Sequence, residues 1–225
     1  MEKSLVGLQN VTKFYPTPKG KKMILDNVTL DIPRENIAVL GPNGAGKSTF
    51  FRLLGVIEYP NKGKIISKGS ISWPIGLSGG FQPSLTGRQN AFFVSSIYCK
   101  SKIEISKKIE FVEEFAELGN FFDVPIKQYS SGMRSRLGFG LSLAFDFDVY
   151  LVDEVTSVGD ANFRKKAQEA FAKIYERSTV LMVSHDMNTL KTNCKSAILL
   201  NNGKLKYTTD IKAAIEMYLK GNYDD

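Results

Sequence analysis

Apolar positions along the chain change their period several times, and each change marks a boundary. "SLVGLQNVTKFY", from Ser4, alternates apolar and polar residues and reads as an edge strand. "KKMILDNVTLDI" repeats the strand pattern. "ENIAVLGPNGAGKSTFFRLLGVI" then gives a buried apolar strand, a glycine-rich turn and a helix with an apolar stripe. "GKIISKGSISWPIGL" reads as short strands split by glycine. From about Pro83 to Gln128 the period becomes helical, as in "RQNAFFVSSIYCK" and "IEISKKIEFVEEFAEL". "SSGMRSRLGFGLSLAF" reads as a capped helix, "VYLVDE" as a buried strand, "ANFRKKAQEAFAKIYE" as an amphipathic helix and "STVLMVS" as another buried strand. "SAILLNNGKLKY" carries hairpin turn chemistry, and "IKAAIEMYL" closes as a helix. Strands alternating with helices predict an α/β core with parallel strands. The stretch at about 83–133 is a helical lobe inserted into that core.

Size and composition leave room for this. A chain of 225 residues, 43% hydrophobic and 24% charged, suits one large domain with a real core. No run reaches the roughly 20 apolar residues of a membrane span, and "MEKSLVGLQN" lacks the apolar stretch of a secretory signal. Cys99 and Cys194 lie far apart without metal-ligand spacing and read as reduced structural thiols of a cytosolic protein. The net charge of +7 favours anionic surroundings. Because the lysines are scattered, it reads as a solvated face with general attraction to an anionic membrane. Zinc spacing, RNA-binding signatures and internal repeats are absent from the sequence, and no nucleic-acid partner is expected.

The chemistry begins at "GPNGAGKST", Gly41 to Thr49, which fits G-x-x-x-x-G-K-[ST] between a strand and a helix. Small residues (Gly41, Pro42, Asn43, Gly44, Ala45, Gly46) let the backbone wrap phosphates, and amides at the helix N-terminus face the negative charge. Lys47 reaches the β- and γ-phosphates, Ser48 offers a hydroxyl to Mg²⁺ and Thr49 bonds the α-phosphate. "VYLVDE" ends in Asp153, to hold Mg²⁺ through water, and Glu154, to polarise the attacking water. "STVLMVSHD" ends at His185, the single histidine of the chain, placed to contact the γ-phosphate and orient the water. Gln82, at the border of core and lobe, is placed to reach Mg²⁺ and that water.

Together these residues resemble the nucleotide-binding subunit of an ABC transporter, over almost the whole chain. The resemblance implies a P-loop NTPase α/β core with an N-terminal antiparallel β subdomain and an inserted α-helical subdomain. It implies a single domain over 1–225, with core 1–82 and 134–225. By resemblance Tyr15 in "KFYP" stacks on adenine, and "SVGD" is the D-loop, whose Asp160 helps join two subunits. The ABC signature LSGGQ has two candidates here, "LSGGF" at 77–81 and "YSSGM" at 129–133. The first runs into "QPSLTG", where Pro83 and Gly87 oppose an immediate helix. The second opens a helix leading into "VYLVDE", so Ser130, Ser131 and Gly132 are the expected signature.

Tyr129, Ser131 and Met133 depart from the usual Leu, Gly and Gln, and "VGD" replaces "ALD". Those departures, with "GFQPSLTGRQN", are similar to ATPases exporting capsular polysaccharide, O-antigen or teichoic acid, the capsule type above all, since no carbohydrate-binding extension follows "IKAAIEMYLKGNYDD". The implied function is ATP hydrolysis energising export of a cell-surface polysaccharide through a separate membrane permease, at the cytoplasmic face of the inner membrane. Further export proteins, periplasmic or outer-membrane, would be reached through the permease. An ABC importer ATPase and a soluble non-transport ABC protein are the alternatives. Phosphate loop and signature both open helices that cannot meet on one phosphate within one compact core. A second copy is therefore expected, head to tail, with ATP between the chains. Arg88 and Phe92 or Phe93, just after Gln82, are expected to meet a short helix of the permease.

Overall fold

The structure is a computed structural model and describes residues 4–75, 81–153 and 160–223. Packing divides the chain into two compact units, the first Met1–Pro74, Phe147–Glu154 and Lys173–Asp225, the second Ile75–Asp146 and Val155–Ala172.

The first unit carries two sheets. β1 (Ser4–Thr17), β2 (Gly20–Pro33) and β4 (Lys62–Ser67) form an antiparallel sheet in the order β2-β1-β4. β1 is therefore the central strand, not the edge strand that its alternation suggested. Alternation reports one buried and one wet face, and central and edge strands of a half-solvated antiparallel sheet share that property. The second sheet runs β5-β6-β7-β3-β8-β9, with β3 (Ile37–Leu40), β5 (Ile71–Ile75), β6 (Val149–Asp153), β7 (Thr179–Val183), β8 (Ser196–Asn201) and β9 (Lys204–Thr208). β6 is parallel to β7, and β3 is parallel to both β7 and β8. The continuous apolar runs of these strands follow from burial on both faces. β8 and β9 form the expected hairpin, with positive φ at Asn202 (46°) and Gly203 (79°), the pairing that a two-residue hairpin turn requires.

Helix α1 (Lys47–Leu54) buries Phe50, Phe51, Leu53 and Leu54 in one core with Leu8, Val11 and Leu25 of the antiparallel sheet and Ile37, Leu151 and Leu181 of the larger one. Two further helices end the unit, α6 (Met187–Asn193) and α7 (Ile211–Lys220), each started by an aspartate cap, Asp186 and Asp210. The pattern reading missed α6, whose seven residues, MNTLKTN, hold too few apolar positions to set a period.

The second unit holds α2 (Gly87–Tyr98), α3 (Lys102–Ala116), two short 3₁₀ turns (Gly119–Asp123 and Ile126–Gln128) and α4 (Ser131–Ala144). It is joined by the first part of α5 (Ala161–Arg177). Thr86 and Ser101 start α2 and α3 with complete capping boxes. The unit extends beyond the 83–133 stretch read from the helical period, because α4 and α5 pack with α3. Phe115, Phe139, Phe163 and Phe171 interlock with ring centroids 5.1–6.4 Å apart.

Candidate nucleotide site

β3, β7 and β6 are parallel neighbours, so their C-terminal ends share one edge of the sheet. That edge collects the loop at 41–46, His185 and Asp153, and it is where α/β sheets receive ligands. Gly41 and Gly46 are demanded by the loop itself. A Cβ on Gly41 would lie 2.3 Å from the carbonyl oxygen of Leu200, and Gly46 has φ +110° with Ile24 Cγ2 2.4 Å from where its Cβ would be. Gly46 is the N-cap of α1 and brings no side-chain cap, so the first-turn amides face the loop. Lys47 Nζ donates to the carbonyls of Gly41 (2.7 Å) and Pro42 (3.2 Å), which fixes its charge over the loop.

Ser48 Oγ donates to Asp153 Oδ2 at 3.2 Å, across 105 residues of sequence. A hydroxyl and a carboxylate side by side, beside a phosphate loop, suit Mg²⁺, which takes oxygen ligands and keeps several waters. Among the described residues no group of three or more His, Cys, Asp or Glu forms a metal cage. His185 is exposed at the end of β7. Glu154 lies outside the described residues, as do 76–80, which hold most of "LSGGF", and 157–159 of "SVGD".

Tyr15, at the end of β1, reaches the same loop from the antiparallel sheet, with its hydroxyl 3.5 Å from Thr49 Oγ1. That hydroxyl donates to Glu58 Oε2 at 2.5 Å. Arg52 donates from Nε to Glu58 Oε1 (2.6 Å) and from Nη2 to Thr49 Oγ1 (3.2 Å). Glu58 had no signal in the sequence, because Tyr15 and Lys13, its partners on β1, are more than forty residues away.

Gln82, Ser130, Ser131, Gly132 and Asp160 belong to the second unit. Gln82 is exposed, but its backbone is held firmly. Its N–H donates to Asn90 Oδ1 (2.9 Å), and Asn90 Nδ2 donates to the carbonyls of Gln82 (3.2 Å), Leu85 (3.3 Å) and Thr86 (2.9 Å). Asn90 is 2% exposed and staples the Gln82 loop to α2. Sequence reading passed over it; a polar residue on the inward stripe of a helix was the available signal. Ser130 caps α4, its Oγ accepting from Met133 N–H at 3.2 Å, as expected of a signature that opens a helix. Ser130 and Ser131 are both exposed, and a Cβ on Gly132 would meet nothing nearer than Ser130 Oγ at 3.8 Å. Tyr129, in contrast, is 3% exposed and donates to the carbonyl of Phe121 at 2.6 Å, and burial raises its pKa. Its hydroxyl fits because position 87 is glycine, where a Cβ would come within 2.5 Å.

Asp160 Oδ1 accepts the N–H groups of Asn162 and Phe163, both at 3.0 Å, at the start of α5, and Oδ2 pairs with Arg136. Arg88 is 40% exposed at its side chain and is also held within its own unit. Its guanidinium bonds Glu113 (2.6 and 2.9 Å) and Asp123 (2.8 and 3.1 Å), tying α2 to its neighbours. Phe92 and Phe93 do lie exposed on α2, at 55% and 58%.

A family model described as ABC transporter matches residues 25–157. The polysialic acid transport ATP-binding protein KpsT of Escherichia coli is 51% identical over 216 residues, 95% of this chain and 96% of the relative. The capsule polysaccharide export ATP-binding protein CtrD of Neisseria meningitidis serogroup B (strain ATCC BAA-335 / MC58) is 42% identical over 95% of this chain and 98% of its own. Among solved structures, a dimeric post-hydrolysis state of the ATP-binding cassette MJ0796 bound to ADP and Pi superimposes with a TM-score of 0.75 at 25% identity, covering 91% of this chain and 98% of that one.

Proposed function

We propose that this chain, which belongs to the ABC transporter family as an ATP-hydrolysing cassette, energises the export of a capsular or related cell-surface polysaccharide. Relatives of nearly the same length, named for polysialic acid transport and capsule polysaccharide export, support that choice of cargo. The polymer would pass through a separate membrane permease. No described helix is long and apolar enough to cross a membrane. As the ATPase partner of a permease, the chain would work from the cytoplasmic face of the inner membrane as a peripheral subunit. The exposed Phe92 and Phe93, on the helix stapled to Gln82, supply an apolar surface for a permease segment. Periplasmic and outer-membrane export proteins would be engaged through the permease.

The chemistry follows from the residues. The loop amides and Lys47 hold the β- and γ-phosphates, and Thr49 takes the α-phosphate. Ser48 and Asp153, with Gln82, would hold Mg²⁺, which supplies positive charge to the phosphate oxygens when bound. Glu154 polarises the attacking water and His185 orients it. Tyr15 gives adenine a ring to stack on.

The observation that carries the two-chain reading is Gly132. The fold of its own chain would meet that Cβ with nothing closer than an ordinary contact to Ser130 Oγ at 3.8 Å, at the exposed start of α4 beside Ser130 and Ser131. A glycine that its own packing does not need fits a surface approached closely from outside. Ser130, Ser131 and Gly132 would grip the γ-phosphate of ATP bound to a second copy, and Asp160 would lie near the seam. Closing on ATP and loosening after hydrolysis would drive the permease.

The experiment is deletion and replacement in the native host. Loss of the chain should trap polymer inside the cell, wild type should return it to the surface, and Lys47→Ala should not. Normal surface polymer together with a failure of solute uptake would reassign the chain to import.

A further inference from the structure

The turn after α1 is built inside out. Val56 and Ile57 are 60% and 53% exposed, while Glu58, the charged residue between Ile57 and Tyr59, points inward with its side chain 25% exposed. Burying the carboxylate and exposing the aliphatics reverses the usual preference. The turn is also wound tightly. Ile57 and Glu58 N–H both donate to the carbonyl of Arg52 (2.9 and 3.1 Å), and Val56 holds φ +56°, a costly place for a β-branched residue. Something must over-determine this geometry.

Glu58 is the hub of a closed set of partners. Oε1 accepts from Arg52 Nε (2.6 Å); Oε2 accepts from the Tyr15 hydroxyl (2.5 Å) and pairs with Lys13 Nζ (3.0 Å). Lys13 is itself only 8% exposed, donates also to the carbonyl of Tyr59 (3.0 Å), and sits 5.0 Å from the centre of the Tyr15 ring. Burial pushes the Glu58 carboxyl up, but the hydrogen bonds from Tyr15, Lys13 and Arg52 outweigh it and hold the pKa at about 2. Glu58 is thus a fixed anion, and the Tyr15 ring is pinned at its far end by that anion.

We propose that Glu58 is a positioning residue for nucleotide binding: by holding the Tyr15 hydroxyl it sets the angle at which the ring meets the base of ATP. It touches no substrate itself. The proposal rests on the reading of Tyr15 as the adenine-stacking ring. Glu58 therefore governs first the affinity of the nucleoside end of ATP, although Arg52 and the Tyr15 hydroxyl also reach Thr49 Oγ1 toward the phosphate end.

The test measures dissociation constants for Mg-ATP and for magnesium tripolyphosphate, which has no base, on the full chain. Four variants are compared: Tyr15→Ala, Tyr15→Phe, Glu58→Gln and the double variant Tyr15→Phe/Glu58→Gln. Tyr15→Phe keeps the ring and both cations' carboxylate, so it reports on the hydroxyl even if Glu58 variants fold poorly. Tyr15→Phe and Glu58→Gln should each weaken ATP about tenfold, the scale of one hydrogen bond to a charged group. The double variant should be no worse than either single one. Tripolyphosphate affinity should stay at the wild-type value, since the interaction lost lies at the nucleoside end. ATP affinity unchanged in Tyr15→Phe but weakened in Tyr15→Ala would overturn the positioning role and keep the adenine reading. Unchanged affinity in Tyr15→Ala would remove the adenine reading and the proposal with it. Equal weakening of ATP and tripolyphosphate by Glu58→Gln would also overturn it, since the effect would then lie in the phosphate loop.

Discussion

Gly41 and Gly132 are both glycines of nucleotide motifs, and their own chain treats them in opposite ways. At Gly41 a Cβ would press 2.3 Å from a backbone oxygen, whereas at Gly132 the first atom is 3.8 Å away. The phosphate loop is glycine because the fold around it allows nothing else. The signature is glycine although the fold around it allows a side chain. The chain itself crowds the space around Gly41 and leaves Gly132 uncrowded, the contrast that the proposed two-chain site requires. The same contrast extends to their neighbours. Lys47 and Ser48 are already oriented by partners across the loop and across the sheet, while Ser130 and Ser131 stand exposed.

The largest effects should come from removing charge complementarity to the phosphates. Lys47→Ala should cut turnover by about 10²–10³-fold or more, on the scale of a lost electrostatic stabiliser, and weaken ATP binding in each single chain. Steady-state phosphate release and calorimetry check both. Gly132→Asp should cost a similar factor in turnover, by setting a carboxylate against the γ-phosphate, yet leave the melting temperature and the ATP affinity of the isolated chain near wild type. Ser78→Ala, in the near-signature that precedes Gln82, should change turnover little. A dead Ser78→Ala beside an active Gly132→Asp would exchange the two motifs.

Gly41→Ala inverts the pattern. Its cost is steric and should appear as lost stability of about 1–3 kcal/mol in denaturant melts, with or without nucleotide. Gly132→Ala should show almost none of that loss. Equal destabilisation by the two alanines would erase the distinction between them.

Asn90→Ala should have an intermediate outcome. The Gln82 N–H loses its partner and three carbonyls each lose a second donor while keeping a backbone one, so about 1–3 kcal/mol of stability should go. ATP binding should survive while coupling of hydrolysis to transport falls, measured as ATP consumed per polymer exported. The smallest effect is set by acid. The Glu58 pKa is lowered from the ordinary 4.5 to about 2, so the folded chain binds fewer protons there than the unfolded one. Its contribution is complete above about pH 4.5 and is lost as pH falls toward 2. Glu58→Gln should flatten the acid limb of a stability–pH curve over that window.

What the sequence made legible was local. The spacing of Gly41, Gly46, Lys47 and Ser48 is a geometric demand of one turn, and the capped start of α4 depends on neighbours three residues apart. The runs "IAVL" and "TVLMV" announce burial by themselves. What stayed hidden depends on partners distant in sequence. The central place of β1 is decided by β4, about fifty residues on, where Leu8 pairs with Ile65. The carboxylate partner of Tyr15 is 43 residues away, and no short-range pattern marks it. Tyr129 looked like a departure from the signature until the buried space above Gly87 accounted for its ring and hydroxyl. The two acceptors of Arg88, on α3 and on the 3₁₀ turn beyond it, stand 25 and 35 residues away, so no short-range pattern marks them.

The central claim is that each ATP is enclosed by the phosphate loop of one chain and the signature of another. Light scattering on Glu154→Gln, which should bind ATP but hydrolyse it about 10²–10⁴-fold more slowly through loss of the general base, tests it most directly. The expected mass is that of two chains with saturating Mg-ATP and of one chain with ADP. A mass of one chain under saturating Mg-ATP, with the permease also present, would contradict it.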